Sequence, residues 1–190
     1  MKSHETTYEE LWKRILSKAD KIALQHIYKY FYPKLYQYAL KLTVNQAMAE
    51  DAVHDTFLYL WQHRKQIGEI QSVQFYLIRS VRNACLKLIK KKNRLTHIDD
   101  VTTHIDLMIL PSELEFKNVN DDVKKRIKEA LNSLSARQRE IIYLKFYNNL
   151  DYEEIGKILN INYQSVVNHV YKGIQKLRKA ETLQFFRHLE

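Results

Sequence analysis

The segment Asp151–Arg178, DYEEIGKILNINYQSVVNHVYKGIQKLR, decides the fold of the second half of this chain. It predicts two helices joined by a tight turn. Asn160 suits the left-handed conformation that ends the first helix, and Asn162 is a good N-cap for the second. Gly156 stands where the two helices are expected to cross, because only a very small side chain permits that approach. The segment therefore predicts a helix-turn-helix.

The two faces of this helix pair differ in chemistry. Apolar residues at helical spacing form the predicted inner faces, which consist of Ile155, Ile158 and Leu159, then Ile161 in the turn, then Val166, Val170, Gly173, Ile174 and Leu177. The outer face of the second helix carries Gln164, Ser165, Val167, Asn168, Tyr171, Lys172 and Lys176. Amide side chains bond adenine edges, and lysine reaches guanine or phosphate, which indicates duplex DNA as a partner. The alternative is a helical hairpin whose polar face only contacts solvent.

The composition favours long helices and a polyanionic partner. Only three Gly and two Pro occur in 190 residues, which argues against sheets joined by tight turns. The net charge of +9 is unevenly spread, with 17 basic and 8 acidic residues in 1–96, 1 and 5 in 97–117, and 13 and 9 in 118–190. Two basic blocks around an acidic connector fit a nucleic acid better than a membrane.

The cellular compartment follows from what the sequence lacks. No apolar run approaches the roughly 20 residues that span a bilayer, and the charged N-terminus has no signal-peptide core. Cys85 is the only cysteine, so no intrachain disulfide forms. We therefore expect a cytoplasmic protein without membrane insertion.

The periodicity predicts an all-α fold with two small helical domains, residues 1–96 and 118–190, joined by an acidic linker at 97–117. The expected helices span about Tyr8–Tyr32, Pro33–Thr43, Gln46–His63, Ser72–Asn93, Asn118–Leu134, Ala136–Asn148, Tyr152–Asn160 and Tyr163–Phe186. Pro33 either kinks one long helix or starts the next. Ser135 is the expected N-cap of the helix that follows it.

The third predicted helix carries an apolar stripe of Val53, Phe57, Leu60 and Trp61. Asp51 and Asp55 lie beside that stripe, four residues apart. Paired acids are compatible with metal binding or acid-base catalysis, but no clustered His or third carboxylate supports either. Two interpretations remain open: a core helix with solvated acids, or a docking face with aromatic anchors rimmed by charge.

The fourth predicted helix combines aromatic and basic residues. Its expected core face consists of Phe75, Ile78, Val81, Cys85, Leu88 and Ile89. Its expected outer face consists of Tyr76, Arg79, Asn83, Lys87 and Lys90, with Arg82 at the edge. Residues 70–98 contain seven basic residues and no acidic one. Favourable charge at the helix C-terminus explains the last four, but Arg79 and Arg82 come too early, so a nucleic-acid strand is the better explanation.

Known site patterns are missing from the rest of the chain. The eight His are scattered without metal-ligand spacing, and neither a Gly-rich phosphate loop nor a Ser-His-Asp arrangement occurs. We expect no catalytic residue, cofactor or metal.

Three segments in this order resemble the bacterial RNA polymerase sigma factors of the extracytoplasmic-function group. They are AMAEDAVHDTFLYLW at 47–61, FYLIRSVRNACLKLIKKKNR from Phe75, and the run from Leu131 to Lys179 that contains the helix-turn-helix. The resemblance implies a promoter-specificity subunit in which core RNA polymerase does the chemistry. It also implies that an anti-sigma protein restrains the chain.

The resemblance assigns a role to each segment. It implies docking on the clamp of the polymerase's largest subunit by Asp51, Asp55, Phe57 and Trp61. It implies melting of the promoter and reading of its minus-ten element by Tyr76, Arg79, Arg82, Asn83, Lys87 and Lys90. It implies reading of the minus-thirty-five element by Gln164, Ser165, Val167, Asn168, Tyr171, Lys172 and Lys176. The acidic linker is expected to pass through the polymerase toward the RNA exit path.

The chain departs from the family pattern at four positions. The family usually has Trp at Tyr76, often Pro at Ser135, and Ala at Gly156 and Gly173. Gly173 is expected to weaken its helix by roughly 0.5–1 kcal/mol relative to Ala. Two other classes remain: a stand-alone regulator whose N-terminal helices sense a ligand, and an enzyme with an appended helix-turn-helix.

Overall fold

The computed structural model describes residues 7–68, 70–93 and 121–179 of the chain. All regular secondary structure in these residues is helical, as the periodicity predicts. The chain divides into two compact units, Met1–Val101 and Thr102–Glu190. The predicted acidic linker, 97–117, lies outside the described residues.

The described part of unit 1 contains α1 (Tyr8–Lys18), α2 (Lys21–Thr43), α3 (Gln46–His63) and α4 (Val73–Asn93). Helices α2, α3 and α4 pack on one another, and α1 packs mainly on α2. Each helix contributes fully buried side chains, among them Ile15, Leu35, Leu60 and Leu77. Burying one such side chain stabilises the fold by about 1.5–3 kcal/mol, so the core follows the apolar stripes of the sequence.

The predicted boundary between the first two helices is wrong. The chain breaks at Ala19, whose φ is 50°, and α2 then runs through Pro33 without ending. Asp20 is the cause, because its carboxylate caps α2 by accepting hydrogen bonds of 2.9 and 3.0 Å from two first-turn amides. Arg14 donates to the same carboxylate at 2.9 and 2.6 Å. The hydrogen bond from the Ala23 backbone, followed by the one from Arg14, lowers the pKa of Asp20.

The predicted ends of α3 are confirmed, and α4 begins one residue later than expected. The amide oxygen of Asn45 accepts from the Met48 backbone at 2.9 Å and caps α3. The Ser72 hydroxyl accepts from the Phe75 backbone at 3.1 Å and caps α4. Local cap chemistry therefore sets both helix starts.

The described part of unit 2 contains α5 (Asp121–Asn132), α6 (Ala136–Ile142), a π turn (Tyr143–Tyr147), α7 (Tyr152–Leu159) and α8 (Tyr163–Lys179). The predicted extensions at 118–120 and 180–186 lie outside the described residues. Ser135 is confirmed as the N-cap of α6, since its hydroxyl accepts from the Gln138 backbone at 3.2 Å and the Gln138 side chain accepts in return at 3.0 Å.

The single α-helix predicted for Ala136–Asn148 is wrong, because Tyr143–Tyr147 form the π turn. The Asn148 backbone N–H donates to the Tyr143 carbonyl, five residues back, at 3.2 Å. The rings of Tyr143 and Tyr147 stack with centroids 4.7 Å apart. Leu144 is completely buried, whereas Tyr147 is 40% exposed. The side chains of this segment therefore pass from the core to the surface within the π turn.

Helices α5, α6 and α8 meet in one apolar cluster of Ala130, Leu131, Leu134, Ile142 and Leu177. Gly173 lies against this cluster, and a β-carbon built there would be 2.6 Å from Cδ1 of Ile142. The sequence indicated only a weak helix position at Gly173. The structure adds that the glycine lets α6 approach α8 closely.

Candidate functional site

One stripe of α3 faces solvent, and Asp51, Asp55 and Leu58 lie on it. Their spacing of four and three residues places the three side chains on one helix face. Both acids are exposed, and Leu58 is 54% exposed. The sequence interpretation missed Leu58, although the same helical spacing that joined the two acids includes it. An apolar side chain beside two carboxylates is suited to protein docking.

The two aromatic docking candidates differ in burial. Phe57 is 6% exposed and packs edge-to-face on Tyr28 of α2, with centroids 4.8 Å apart. Trp61 is half-buried, and the guanidinium of Arg64 lies 4.5 Å from its ring centroid. Phe57 therefore belongs to the core, whereas Trp61, three residues after Leu58, lies at the edge of the exposed stripe.

An exposed basic face on α4 consists of Arg79, Asn83, Lys87 and Lys90. Lys91 and Lys92 extend it in the last turn and are also exposed. The predicted outer face is confirmed at these positions. Since residues 70–98 contain no acid, the local field favours an anionic strand.

Tyr76 packs partly against α1 and is only partly open to a ligand. Its ring contacts that of Trp12 edge-to-face, with centroids 4.9 Å apart. Burial raises the pKa of Tyr76, and a hydrogen bond with the Ser80 side chain opposes this rise. The ring is half-buried, and its hydroxyl already has the Ser80 side chain as a partner.

The expected placement of Arg82 at an exposed edge is wrong, since the residue is 5% exposed. It lies four residues after Ile78 and three before Cys85, and both of these are buried. That spacing puts Arg82 on the inner face of α4. The sequence contained this signal, but the positive charge suggested the surface.

The helix-turn-helix forms as predicted from local caps. Asp151 and Glu154 form a reciprocal capping box at the start of α7, with hydrogen bonds of 2.7 and 3.0 Å. Asn160 ends α7 in the left-handed conformation with φ 54°. The Asn162 side chain accepts from the Ser165 backbone at 2.7 Å and caps α8. The turn between the two helices is therefore rigidly specified.

Gly156 leaves space mainly for the backbone of the turn, and less for the crossing of the two helices. A β-carbon at this position would be 2.8 Å from the Ile161 carbonyl oxygen and 3.8 Å from the Val166 side chain. The Ile161 backbone N–H also donates to the Gly156 carbonyl at 3.0 Å. The close neighbour is thus the backbone of the turn, which refines the predicted reason for the glycine.

Most of the predicted recognition residues on α8 face solvent. Five of the seven are exposed, namely Gln164, Asn168, Tyr171, Lys172 and Lys176, whereas Ser165 and Val167 are half-buried. The Gln164 amide donates to the Asn168 side-chain oxygen at 3.2 Å. This bond aligns two amides one turn apart, which suits bidentate contact with base edges.

Lys176 differs from the other outward residues of α8. Its ammonium group donates to the Ser133 carbonyl at 3.1 Å, across 43 residues of sequence. This contact ties α8 to the segment before α6 and holds the ammonium in place. Lys172, the other lysine among the recognition candidates of α8, is exposed like Lys176.

His169 is a half-buried titratable group next to the recognition surface. Burial lowers the pKa of His169, and the positive charges of Arg137 and Lys172 lower it further. The neutral imidazole is therefore favoured in the folded unit. No sequence pattern distinguishes this residue, because its neighbour Arg137 comes from another helix.

The described residues lack two features that would indicate other functions. They contain no group of three or more His, Cys, Asp or Glu side chains placed to hold a metal ion. None of the helices within 7–68, 70–93 and 121–179 is long and apolar enough to cross a membrane.

Curated proteins of known family are similar to this chain along most of its length. The ECF RNA polymerase sigma factor SigL of Mycobacterium tuberculosis is 28% identical over 162 residues, which cover 84% of this chain and 89% of the relative. The ECF RNA polymerase sigma factor SigW of Bacillus subtilis is 25% identical over 176 residues, covering 88% and 94%.

Two solved structures share the fold. The sigma factor RpoE in complex with the anti-sigma factor NepR from Bartonella quintana has a TM-score of 0.60 and 23% identity, covering 84% of this chain and 96% of that one. CnrH in complex with the cytosolic domain of CnrY has a TM-score of 0.60 and 18% identity, covering 90% and 94%.

Family models match both units. The model for Sigma-70 region 2 matches residues 27–95, and the model for Sigma-70, region 4 matches residues 124–177. The first match contains the exposed stripes of α3 and α4, and the second contains the helix-turn-helix. The chain therefore belongs to the sigma-70 family of RNA polymerase sigma factors, within the extracytoplasmic-function group.

Proposed function

We propose that this sigma factor uses three separate surfaces in promoter-specific initiation. The solvent stripe of α3 docks on core RNA polymerase, the basic face of α4 captures the melted non-template strand, and α8 binds the duplex upstream element. The observation that carries the proposal is the physical separation of an acidic-apolar stripe from a basic face within unit 1. Two partners of opposite character suit two such faces.

The docking surface is Asp51, Asp55 and Leu58. Leu58 supplies an apolar anchor, and the carboxylates supply charge complementarity for a basic partner surface. By its resemblance to the family, the partner is the clamp of the largest polymerase subunit. Phe57 stabilises the helix from within, and Trp61 contributes through its half-exposed edge.

The strand-capturing surface is the basic face of α4. Arg79, Lys87 and Lys90 are spaced to follow a phosphate backbone, and each phosphate contact releases condensed counterions. Asn83 lies among them and can bond a base edge. Arg82, being buried, acts on this surface only by supporting the helix.

The duplex-binding surface is α8 in the major groove. Gln164 and Asn168 form an aligned amide pair for base edges, and Tyr171 and Lys172 extend the contact along the helix. Lys176 reaches a phosphate from its anchored position. Ser165 and Val167 lie half-buried beside these residues and contribute mainly by shape.

The remaining parts of the proposal concern regulation and chemistry. We infer that the chain has no active site of its own and acts in the cytoplasm as a specificity subunit. The acidic linker, 97–117, passes through the polymerase toward the RNA exit path. An anti-sigma protein restrains the free chain, as the complexes of RpoE with NepR and of CnrH with CnrY illustrate for those proteins.

In-vitro transcription tests this function directly. Core RNA polymerase is incubated with a fragment library in the presence and absence of the protein, and the transcripts are sequenced. The expected result is a set of new start sites that share an upstream and a minus-ten element. Tight binding to duplex DNA without polymerase, and no new start sites, would instead indicate a stand-alone regulator.

A further inference from the structure

A groove between α6 and α8 lies beside the recognition residues of unit 2. It has a volume of about 310 Å³ and is lined by Gln138 of α6 and by Lys172, Gln175 and Lys176 of α8. Both lysines are exposed, and the ammonium group of Lys176 is anchored to a backbone carbonyl that precedes α6. Helix α8 contains no acidic residue. The groove is therefore open to solvent and lined by positive charge.

Arg137 and the half-buried imidazole of His169 adjoin this groove. Arg137 directly precedes Gln138 on α6, and its atom Nη1 is buried without a hydrogen-bond partner among the residues that the structure describes. His169 lies three residues before Lys172 on α8, so the two side chains share one side of the helix. A buried donor of a charged group is costly when it is left unpaired, and an anion that accepts from it removes that cost.

The charges that act on His169 are all positive. Burial lowers the pKa of His169 most, and the cations Arg137 and Lys172 lower it further, so both lie close to the imidazole. Helices α5, α6 and α7 pack against α8. Their described acidic residues are Asp121, Glu129, Glu140, Glu153 and Glu154. Within the described part of the chain none of these carboxylates contributes to the pKa of His169. An anion in the groove would therefore reverse the balance that keeps the imidazole neutral.

We propose that the groove between α6 and α8 holds one phosphate of the upstream duplex, and that His169 takes up a proton as this phosphate enters. Arg137 donates through Nη1, Lys172 supplies a second positive charge, and the imidazolium of His169 supplies a third. The phosphate oxygens accept these contacts, and their negative charge stabilises the protonated imidazole. This inference rests on the proposed function and adds to it a dependence of upstream binding on pH.

The position of the groove on α8 favours a phosphate of duplex DNA over a free phosphate ion. Asn168, which is proposed to contact a base edge, directly precedes His169, and Lys172 borders both the groove and the exposed face of α8. A helix that lies in the major groove has the two phosphate backbones beside its flanks. The recognition contacts therefore bring a backbone phosphate to the groove, whereas a free ion has only the open groove itself to hold it.

Proton uptake makes the affinity for the upstream element depend on pH. The pKa of His169 is below its ordinary value of 6.5 in the free protein and is raised when the phosphate binds. Because the bound state then carries more protons than the free state, the affinity increases as the pH falls through the bound value. An opposite charge at hydrogen-bond distance is sufficient to increase the affinity roughly tenfold between about pH 7.5 and about pH 5.5.

The test measures binding of the full chain, assembled with core polymerase, to DNA that carries the upstream element from the transcription selection. The quantity compared is the gain, defined as the ratio of the affinities at about pH 5.5 and about pH 7.5 at constant ionic strength. The gain of the unsubstituted protein should exceed that of His169→Gln roughly tenfold. His169→Arg carries a permanent charge and should bind tightly at both pH values.

Three further measurements identify the anion and its partners. A neutral methylphosphonate is placed at one backbone position of the upstream element at a time, and at one position it should abolish the gain. Arg137→Gln should weaken binding at both pH values and reduce the gain. His26→Gln removes an exposed histidine of α2, Lys125→Gln removes an exposed cation of α5, and neither should alter the gain.

Three outcomes would overturn the inference. Equal gains in the unsubstituted protein and in His169→Gln would show that another group takes up the proton. A gain that persists with a methylphosphonate at every position would show that no backbone phosphate is involved. Loss of the gain when inorganic phosphate replaces chloride at the same ionic strength would assign the groove to the free ion. Absence of any preference of the unsubstituted protein for the upstream element would reject the proposed function itself, which is a distinct result.

Discussion

Replacing Gly173 with alanine adds one methyl group to the inner face of α8, directly against α6. The added carbon would lie 2.6 Å from Cδ1 and 3.5 Å from Cγ1 of Ile142. Two carbon atoms attract best at about 3.5–4.0 Å, so the Ile142 side chain must retreat by roughly 1 Å. Ile142 is 5% exposed within its apolar cluster, and the neighbouring side chains must move with it.

Two opposing free energies decide the result. Alanine in a helix interior is favoured over glycine by roughly 0.5–1 kcal/mol. Overpacking a core costs about 1–3 kcal/mol, and the low end applies here because Cδ1 is the end of a flexible side chain. Ile142→Val removes this same atom and costs about 0.5–1.5 kcal/mol by itself. In the Gly173→Ala background that cost should largely disappear, giving a favourable coupling of about 1 kcal/mol.

Native-state hydrogen exchange of the buried α8 amides measures this coupling, because it reports the opening free energy of unit 2 within the full chain. The two single variants and the double variant complete the cycle. Gly68→Ala is the matched control, since a β-carbon there meets nothing within 4 Å. Additivity of the two substitutions within about 0.3–0.5 kcal/mol would refute the close contact.

Three further predictions concern the proposed surfaces and the pH response. Asp51→Arg should reduce retention of the chain by core polymerase in a pull-down, whereas Glu129→Arg, at an exposed acid of unit 2, should not; equal retention of the two variants would remove this stripe from the interface. Asn168→Ala should change the preferred base at one upstream position, because a lost bidentate contact costs roughly 1–3 kcal/mol. Lys176→Ala should instead weaken binding to all sequences alike. Selection of bound DNA from a randomised duplex pool distinguishes the two, and an unchanged base preference in Asn168→Ala would mean that Asn168 does not contact bases. Burial, together with Arg137 and Lys172, lowers the pKa of His169, so the folded unit takes up this proton less readily than the unfolded chain. The contribution of His169 to the unfolding free energy of unit 2 is complete above the ordinary pKa of 6.5 and is lost as the pH falls through the lowered value. His169→Gln should therefore flatten the pH dependence of that free energy below 6.5. An unchanged pH dependence in the variant would show that another group is responsible.

The sequence by itself determined the elements whose ends depend on local chemistry. Both ends of α3, the Ser135 cap and the two asparagines of the helix-turn-helix lie where the sequence predicted them. At Asn45, Ser135 and Asn162 a side-chain oxygen accepts from a backbone N–H three residues later, and at Asn160 the backbone N–H donates to the Gly156 carbonyl. Such contacts involve only neighbouring residues, so they can be inferred from a short segment. The exposed residues of α8 followed in the same way from helical spacing.

Only the tertiary structure decided features that depend on residues far apart in sequence. Trp12 of α1 packs against the half-buried ring of Tyr76, and Ile142 of α6 lies against Gly173 of α8, from which α7 separates it in the sequence. The helical period gives the direction of each side chain within its own helix, but the neighbour that covers or exposes it is set by how the helices pack.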